Sequence, residues 1–184
     1  MSYEFVRVNE VNEEIFNRLF TDSLPYLDPT PDVPSIDIFA GVMGADEKRQ
    51  LWLDSYRSFL DTGRVIECRM DGYTVGLWAG NPDRENPSHG HINFVLVGKD
   101  LTGSRAWANS TEFARATRDF YVNAVCGFTS ATFDTPGPGS GLRWVQHLST
   151  DVTDHVEVGE AKTTMTPIAV DAVKTVQRVT WKFE

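Results

Sequence analysis

The chain predicts an α/β (α+β) fold: a mixed central β-sheet flanked by helices on both faces. Three observations carry that expectation. Short apolar or alternating runs at 3–8 (YEFVRV), 64–70 (RVIECRM), 73–79 (YTVGLWA), 91–97 (HINFVLV) and 128–134 (FTSATFD) read as strands. Between them lie longer segments whose apolar residues recur at steps of three and four, as a helical face requires. Asp71-Gly72 separates the second and third runs, the short-range signal of a type I′ hairpin.

Taken in order, the strand at 3–8 is followed by Asn9 or Asn12 as cap of a helix outlined by Glu13, Glu14, Ile15, Phe16, Leu19 and Phe20. Four prolines at 25, 29, 31 and 34 predict a surface loop over 23–35, because proline fixes φ and removes a donor. Asp46 begins a second helix, with Leu51, Trp52, Tyr56, Phe59 and Leu60 on one face and Gly63 past its end. The hairpin comes next, then a polar loop over 80–90 and the apolar run 91–97, which reads as the central strand, buried on both faces. A long helix from Ala106 to Ala124, ended by Gly127, precedes the strand at 128–134. Turn-rich TPGPGSG and a short helix at 142–148 follow, and strands are expected at 154–158, 163–168 and 178–183.

The length of 184 residues, with 41% hydrophobic and 11% aromatic content, is that of a single domain spanning 1–184 with a proper core. Its 17 Lys and Arg against 26 Asp and Glu leave a net charge of −9, which argues against general nucleic-acid binding. The first ten residues lack the pattern of a signal peptide and no apolar run is long enough to span a bilayer, so a cytoplasmic protein without membrane partners is expected. Cys68 and Cys126 read as buried thiols, and the five tryptophans as core residues. His89-Gly90-His91 has no third ligand nearby, so no metal is expected.

Most of the chemistry lies after the central strand. A helix N-terminus following 98–103 (GKDLTG) would offer orphan N–H donors and a partial positive charge, favouring an anion by about 0.3–1 kcal/mol. Gly103 and Ser104 allow close approach, Lys99 and Arg105 supply cations, and Asp100 opposes them. The same residues equally make an ordinary helix start, with Thr102 or Ser104 as N-cap. For proton transfer the candidates are His91, His89, Glu67, Asp134 and His147. Strict alternation puts His91 on one face with Asn93, Val95 and Val97. Each candidate also has a plain structural reading: a satisfied strand histidine, a turn-capping Asp134, a surface His147.

From His91 to Gly127 the sequence HINFVLVGKDLTGSRAWANSTEFARATRDFYVNAVCG, with the order of elements over most of the chain, resembles the acetyl-CoA core of the Gcn5-related N-acetyltransferase (GNAT) superfamily. The resemblance implies acetyl-CoA or another acyl-CoA bound between the central strand and the strand from Phe128. It implies transfer to a primary amine, small or protein-borne, by direct attack, with backbone N–H groups of the central strand, at Val95, Leu96 and Val97, holding the cofactor's thioester. The family's pyrophosphate loop, usually Q/R-x-x-G-x-G/A, corresponds to Asp100-Leu101-Thr102-Gly103-Ser104-Arg105, which keeps one of two glycines and has an acid at the first position. By that match Lys99, Thr102, Gly103, Ser104, Arg105 and Ala106 contact the cofactor. Where the family has a tyrosine acid on its last helix, this chain has Trp144 and His147, and only His147 can transfer a proton near neutrality. His91 and Asp134 are the candidate bases.

The GSRAW form of the loop, followed by TEFARATRDF, is similar to divergent members of the superfamily carried by bacteriophages. A rival reading is a structural or assembly protein, such as a phage head or virion component, that kept the fold and lost the chemistry. Self-association is compatible with either.

Overall fold

A computed structural model describes residues 2–27, 45–61, 65–121, 128–136, 155–165 and 173–183. Strand β1 (Tyr3–Val8) is followed by helix α1 (Glu13–Leu27), which Asn12 caps by accepting the Ile15 N–H at 3.1 Å. Helix α1 runs into the stretch expected to be loop: residues 23–27 are helical, Pro25 included. Proline removes a single i→i−4 hydrogen bond and crowds the carbonyl four residues back, so its cost is local and does not by itself exclude the helical turn it sits in. The rest of that stretch, 28–35, lies outside the described residues, as do Gly63, Cys126, Gly127 and the helix expected at 142–148.

Helix α2 (Ala45–Leu60) leads to the antiparallel pair β2 (Val65–Met70) and β3 (Tyr73–Pro82). Asp71 and Gly72 have φ of 49° and 83°, the two positive angles a type I′ turn requires. The expected 80–90 loop is shorter than its composition implied. Strand β3 continues to Pro82 and β4 (His89–Val97) begins two residues early, because Asn81 pairs with His91 and Pro82 with Gly90.

The helix expected from Ala106 is also divided. A 3₁₀ turn (Ala106–Asn109) comes first, and α3 (Thr111–Asp119) starts only after Ser110, whose Oγ accepts the Phe113 N–H at 3.1 Å. Strand β5 (Ser130–Pro136) follows. The two short strands expected at 154–158 and 163–168 are instead joined into one, β6 (His155–Met165), which pairs antiparallel with β7 (Val173–Lys182).

Among the described residues seven strands form one sheet in the order β1-β2-β3-β4-β5-β7-β6, every pairing antiparallel except β4 with β5. Helices cover both faces, as the patterning requires. On one, Phe16, Leu19 and Phe20 of α1 and Leu53 and Tyr56 of α2 pack on Val65, Leu77, Ala79 and Leu96. On the other, Trp107, Phe113, Phe120 and Tyr121 pack on Ile66, Cys68, Trp78 and Trp181. Trp78, Trp107 and Trp181 are thus core residues, Trp52 packs against the first cluster, and Trp144 lies outside the described residues. Cys68 is fully buried, which pushes its thiol up to about 12 and keeps it protonated. No helix among the described residues is long and apolar enough to cross a membrane.

Candidate active site

Strands β4 and β5 pair only from His89↔Ser130 to Ile92↔Phe133, yet β4 runs on to Val97 and β5 to Pro136. Past Ile92 the two strands part, leaving one edge of β4 without a neighbouring strand among the described residues. A bulge lies at the same point. Ala79 faces Phe94 and Gly80 faces Ile92, so Asn93 is the extra residue on β4. Gly80 suits the tight approach there, since a Cβ on it would collide with the His91 carbonyl oxygen.

The bulge overturns the expected alternation. Ile92 and Val97 both pack against the α3-side core, so His91 lies on the opposite face, away from Val97. On that face His91 is joined by His89, their rings 5.0 Å apart edge to face, and by Ser130 and Thr132 from β5. Both His89 nitrogens are engaged: Nδ1 with Ser130 Oγ and Nε2 with Thr132 Oγ1, each at 2.6 Å. Burial, and then the neighbouring His91, lower the His89 pKa, so it stays neutral at neutral pH.

His91 differs. Its Nε2 lies 2.8 Å from Asp83 Oδ2, and its side chain is 38% exposed. Among the described residues Nδ1 of His91 has no hydrogen-bond partner. The hydrogen bond from His91, then the backbone N–H groups of Asn86 and Glu85, hold Asp83 down to about 2, so it is ionised at neutral pH. Asp83 was missed from sequence because its link to His91 exists only through the hairpin register. Ser130 and Thr132 were missed for the same reason, although their spacing of two matches that of His89 and His91.

The other proton-transfer candidates separate clearly. Glu67 is buried in β2 and committed to Thr74 Oγ1 and, at 2.9 Å, to Arg69 Nη2, which fits it for holding the hairpin rather than for exchanging protons in the gap. Asp134 occupies the first position of β5 beyond the ladder with β4, so its backbone borders the gap. His147 lies outside the described residues.

Along the open edge of β4 the backbone is unequally disposed. Gly98 N–H reaches Val75 on β3 at 2.8 Å, so in an antiparallel ladder Val97 and Val95 turn their N–H and C=O the other way, toward the gap. Val97 is already served there: the buried Ser23 hydroxyl of α1 accepts its N–H at 3.0 Å and donates to its C=O at 3.1 Å. Leu96 points its backbone to β3 and its side chain into the α1/α2 core. A small apolar hollow of about 30 Å³, lined by Trp78, Gly80, Gly90, Ile92, Tyr121 and Phe128, sits beside the bulge on the α3 face.

The loop after β4 is folded around its own acid. Asp100 Oδ1 accepts Thr102 N–H at 2.8 Å, Thr102 Oγ1–H at 2.6 Å and Ser104 N–H at 2.9 Å, which lowers its pKa. Gly103 has φ of 79°, and a Cβ added there would meet no atom of the described residues within 4 Å. Lys99 Nζ and Arg105 Nη1 both reach Asp22, its Oδ1 at 3.8 Å and its carbonyl at 3.3 Å. Ser104 Oγ accepts Ala106 N–H at 3.1 Å. No α-helix starts at this loop, so neither Thr102 nor Ser104 caps one; the 3₁₀ turn intervenes and Ser110 is the cap of α3.

No protein-family model matches the sequence, and no curated protein matches it. Solved structures match over nearly the whole chain. The diaminobutyrate acetyltransferase EctA of Paenibacillus lautus, in complex with L-2,4-diaminobutyric acid and coenzyme A, superposes with a TM-score of 0.54 at 14% identity, over 99% of this chain and 95% of its own. The ribosomal L7/L12 α-N-protein acetyltransferase RimL, in complex with coenzyme A, gives 0.57 at 10% identity, over 100% and 95%. Ard1 of Thermoplasma volcanium gives 0.54 at 10% identity, over 99% and 97%. The chain therefore has the fold of these acetyltransferases.

Proposed function

We propose that this protein is an acyl-CoA-dependent N-acyltransferase that moves an acetyl group to a primary amine. The observation that carries the reading is the parting of β4 from β5 after Ile92↔Phe133, on the fold of structures solved with coenzyme A. Acetyl-CoA would supply an activated thioester, whose C–S bond breaks as the N–C bond to the amine forms, the amine's proton ending on the coenzyme A thiol. The Val95 N–H, turned to the gap, is the donor for the carbonyl oxygen as negative charge gathers on it. His91 Nδ1 accepts the amine's proton, and Asp134 borders the same gap as a second candidate. His147 is the candidate for returning a proton to the sulfur. The loop from Lys99 to Ala106, with Thr102, Gly103, Ser104 and Arg105, would meet the pyrophosphate. The acceptor is a small or protein-borne amine, and the setting is the cytoplasm, or the host cytoplasm if the similarity to bacteriophage proteins reflects its source.

One observation favours a second reading. The loop's donors already converge on the carboxylate of Asp100, which can substitute internally for a phosphate. On that reading the chain keeps the fold as an assembly or virion component. Calorimetric titration with acetyl-CoA and free coenzyme A decides between them: micromolar, salt-sensitive binding, followed by turnover in a panel of small diamines and peptides, is the expected result. No heat and no thermal shift at millimolar cofactor would overturn the enzyme reading in favour of the second.

A further inference from the structure

Asp83 is fixed before any substrate arrives. Its Oδ1 accepts the N–H groups of Glu85 at 2.8 Å and Asn86 at 2.9 Å, and its own N–H reaches the His89 carbonyl at 2.7 Å. That turn leaves Oδ2 with one direction, toward His91 Nε2 at 2.8 Å. A carboxylate only accepts, so a neutral His91 must carry its proton on Nε2 and keep its lone pair on Nδ1. His89 cannot disturb the arrangement, because both its ring nitrogens are held by Ser130 and Thr132. His91 stands opposite Thr132, one pair before the β4–β5 ladder ends.

We propose that Asp83 is the positioning residue of the site: clamped by the Glu85 and Asn86 amides, it locks His91 in the Nε2–H tautomer and thereby makes Nδ1 the proton acceptor. This rests on the assignment of His91 as base. The bond changes are those of the acyl transfer above, the amine's proton passing to Nδ1 and a proton reaching the departing thiolate as described there, while Asp83 stays ionised throughout.

The clamp provides its own test. In Asp83→Asn the carboxamide oxygen stays with the two backbone donors, which puts the NH₂ where Oδ2 was. That group donates to Nε2 and forces the His91 proton onto Nδ1, abolishing the lone pair there with no change of shape. The measurement is the ¹⁵N NMR tautomer pattern of His91 above neutral pH, in the wild type and in D83N, with melting temperature as a control. The expected result is Nε2–H in the wild type and Nδ1–H in D83N, at nearly equal melting temperatures. With acetyl-CoA and an amine from the panel above, kcat should fall at least 100-fold in D83N while KM for acetyl-CoA holds, and D83A, which frees both tautomers, should recover part of the rate. An Nδ1–H wild type, or a D83N pattern like the wild type, would overturn the inference; the wild-type arm decides it even if D83N does not fold. A switched tautomer with unchanged kcat would support the lock and overturn His91 as the base.

Discussion

Single side chains decide how this site behaves toward charge. Asp100 gathers three donors of its loop on one oxygen, and the asparagine side chain can accept the same three without the charge. If the coenzyme A pyrophosphate binds this loop, Asp100→Asn should tighten it roughly two- to fivefold at low salt, the gain shrinking as screening grows. Calorimetry on both proteins at two ionic strengths checks this; equal affinities would put the phosphates elsewhere. His89 makes a different prediction. Its folded pKa lies below the unfolded value of about 6.5, so its contribution to stability is complete above that pH and is lost as pH falls through the folded value. Urea midpoints should therefore drop on acidification below about pH 6.5, and His89→Gln should remove that part of the slope. Asp83 acts in a lower window, from the ordinary carboxylate range near 4 down to about 2.

At the level of elements, two interruptions shape the site. The extra residue at Asn93 turns His89 and His91 to the α1/α2 face while Ile92 and Val97 stay with the α3 core. The 3₁₀ turn at Ala106–Asn109 moves the start of α3 away from the loop, so the α-helix N-terminus expected directly after it lies instead at Ser110. Ser110 closes α3 from inside, accepting Phe113 N–H and donating to Trp107 O at 2.8 Å. Ser110→Ala should cost about 1 kcal/mol, the usual worth of an N-cap, read as a shift in the urea midpoint without a change in slope. A change below about 0.3 kcal/mol would mean that packing of Phe113 against Trp107 and Tyr3, not the cap, sets where the helix begins.

For the molecule as a whole, the sheet is the shared wall of two cores. Trp78, Trp107 and Trp181 report on the α3 side, Phe16, Leu19 and Tyr56 belong to the other, and β2, β3 and β4 contribute to both. Neither layer can keep its face of the sheet without the strands that carry the other. Unfolding in urea should therefore be a single transition, with tryptophan fluorescence and far-ultraviolet circular dichroism coinciding. Separate midpoints would divide the chain into more than one unit. The net charge of −9 acts at this scale too, opposing an anionic ligand from a distance whatever Lys99 and Arg105 do nearby.

Local chemistry determined much of this. The strand at 3–8, the Asp71-Gly72 turn and the apolar faces of α1 and α2 follow from residues a few positions apart, and the sequence was sufficient for each; for the cap of α1 it offered Asn9 or Asn12, and the structure selects Asn12. The order of elements was legible as far as β5, and with it the expectation of a sheet covered on both faces, whereas the single strand over 155–165 and the divided helix after Ala106 were not. His91 was legible as a candidate because an imidazole in a central strand is chemically conspicuous. Its partner was not. Asp83, the Ser130 and Thr132 clamp on His89, the bulge at Asn93 and the Ser23 hydroxyl on Val97 arise from which strands lie side by side and in what register. Those are long-range choices, settled by the packing of both cores at once, and no window of neighbouring residues contains them.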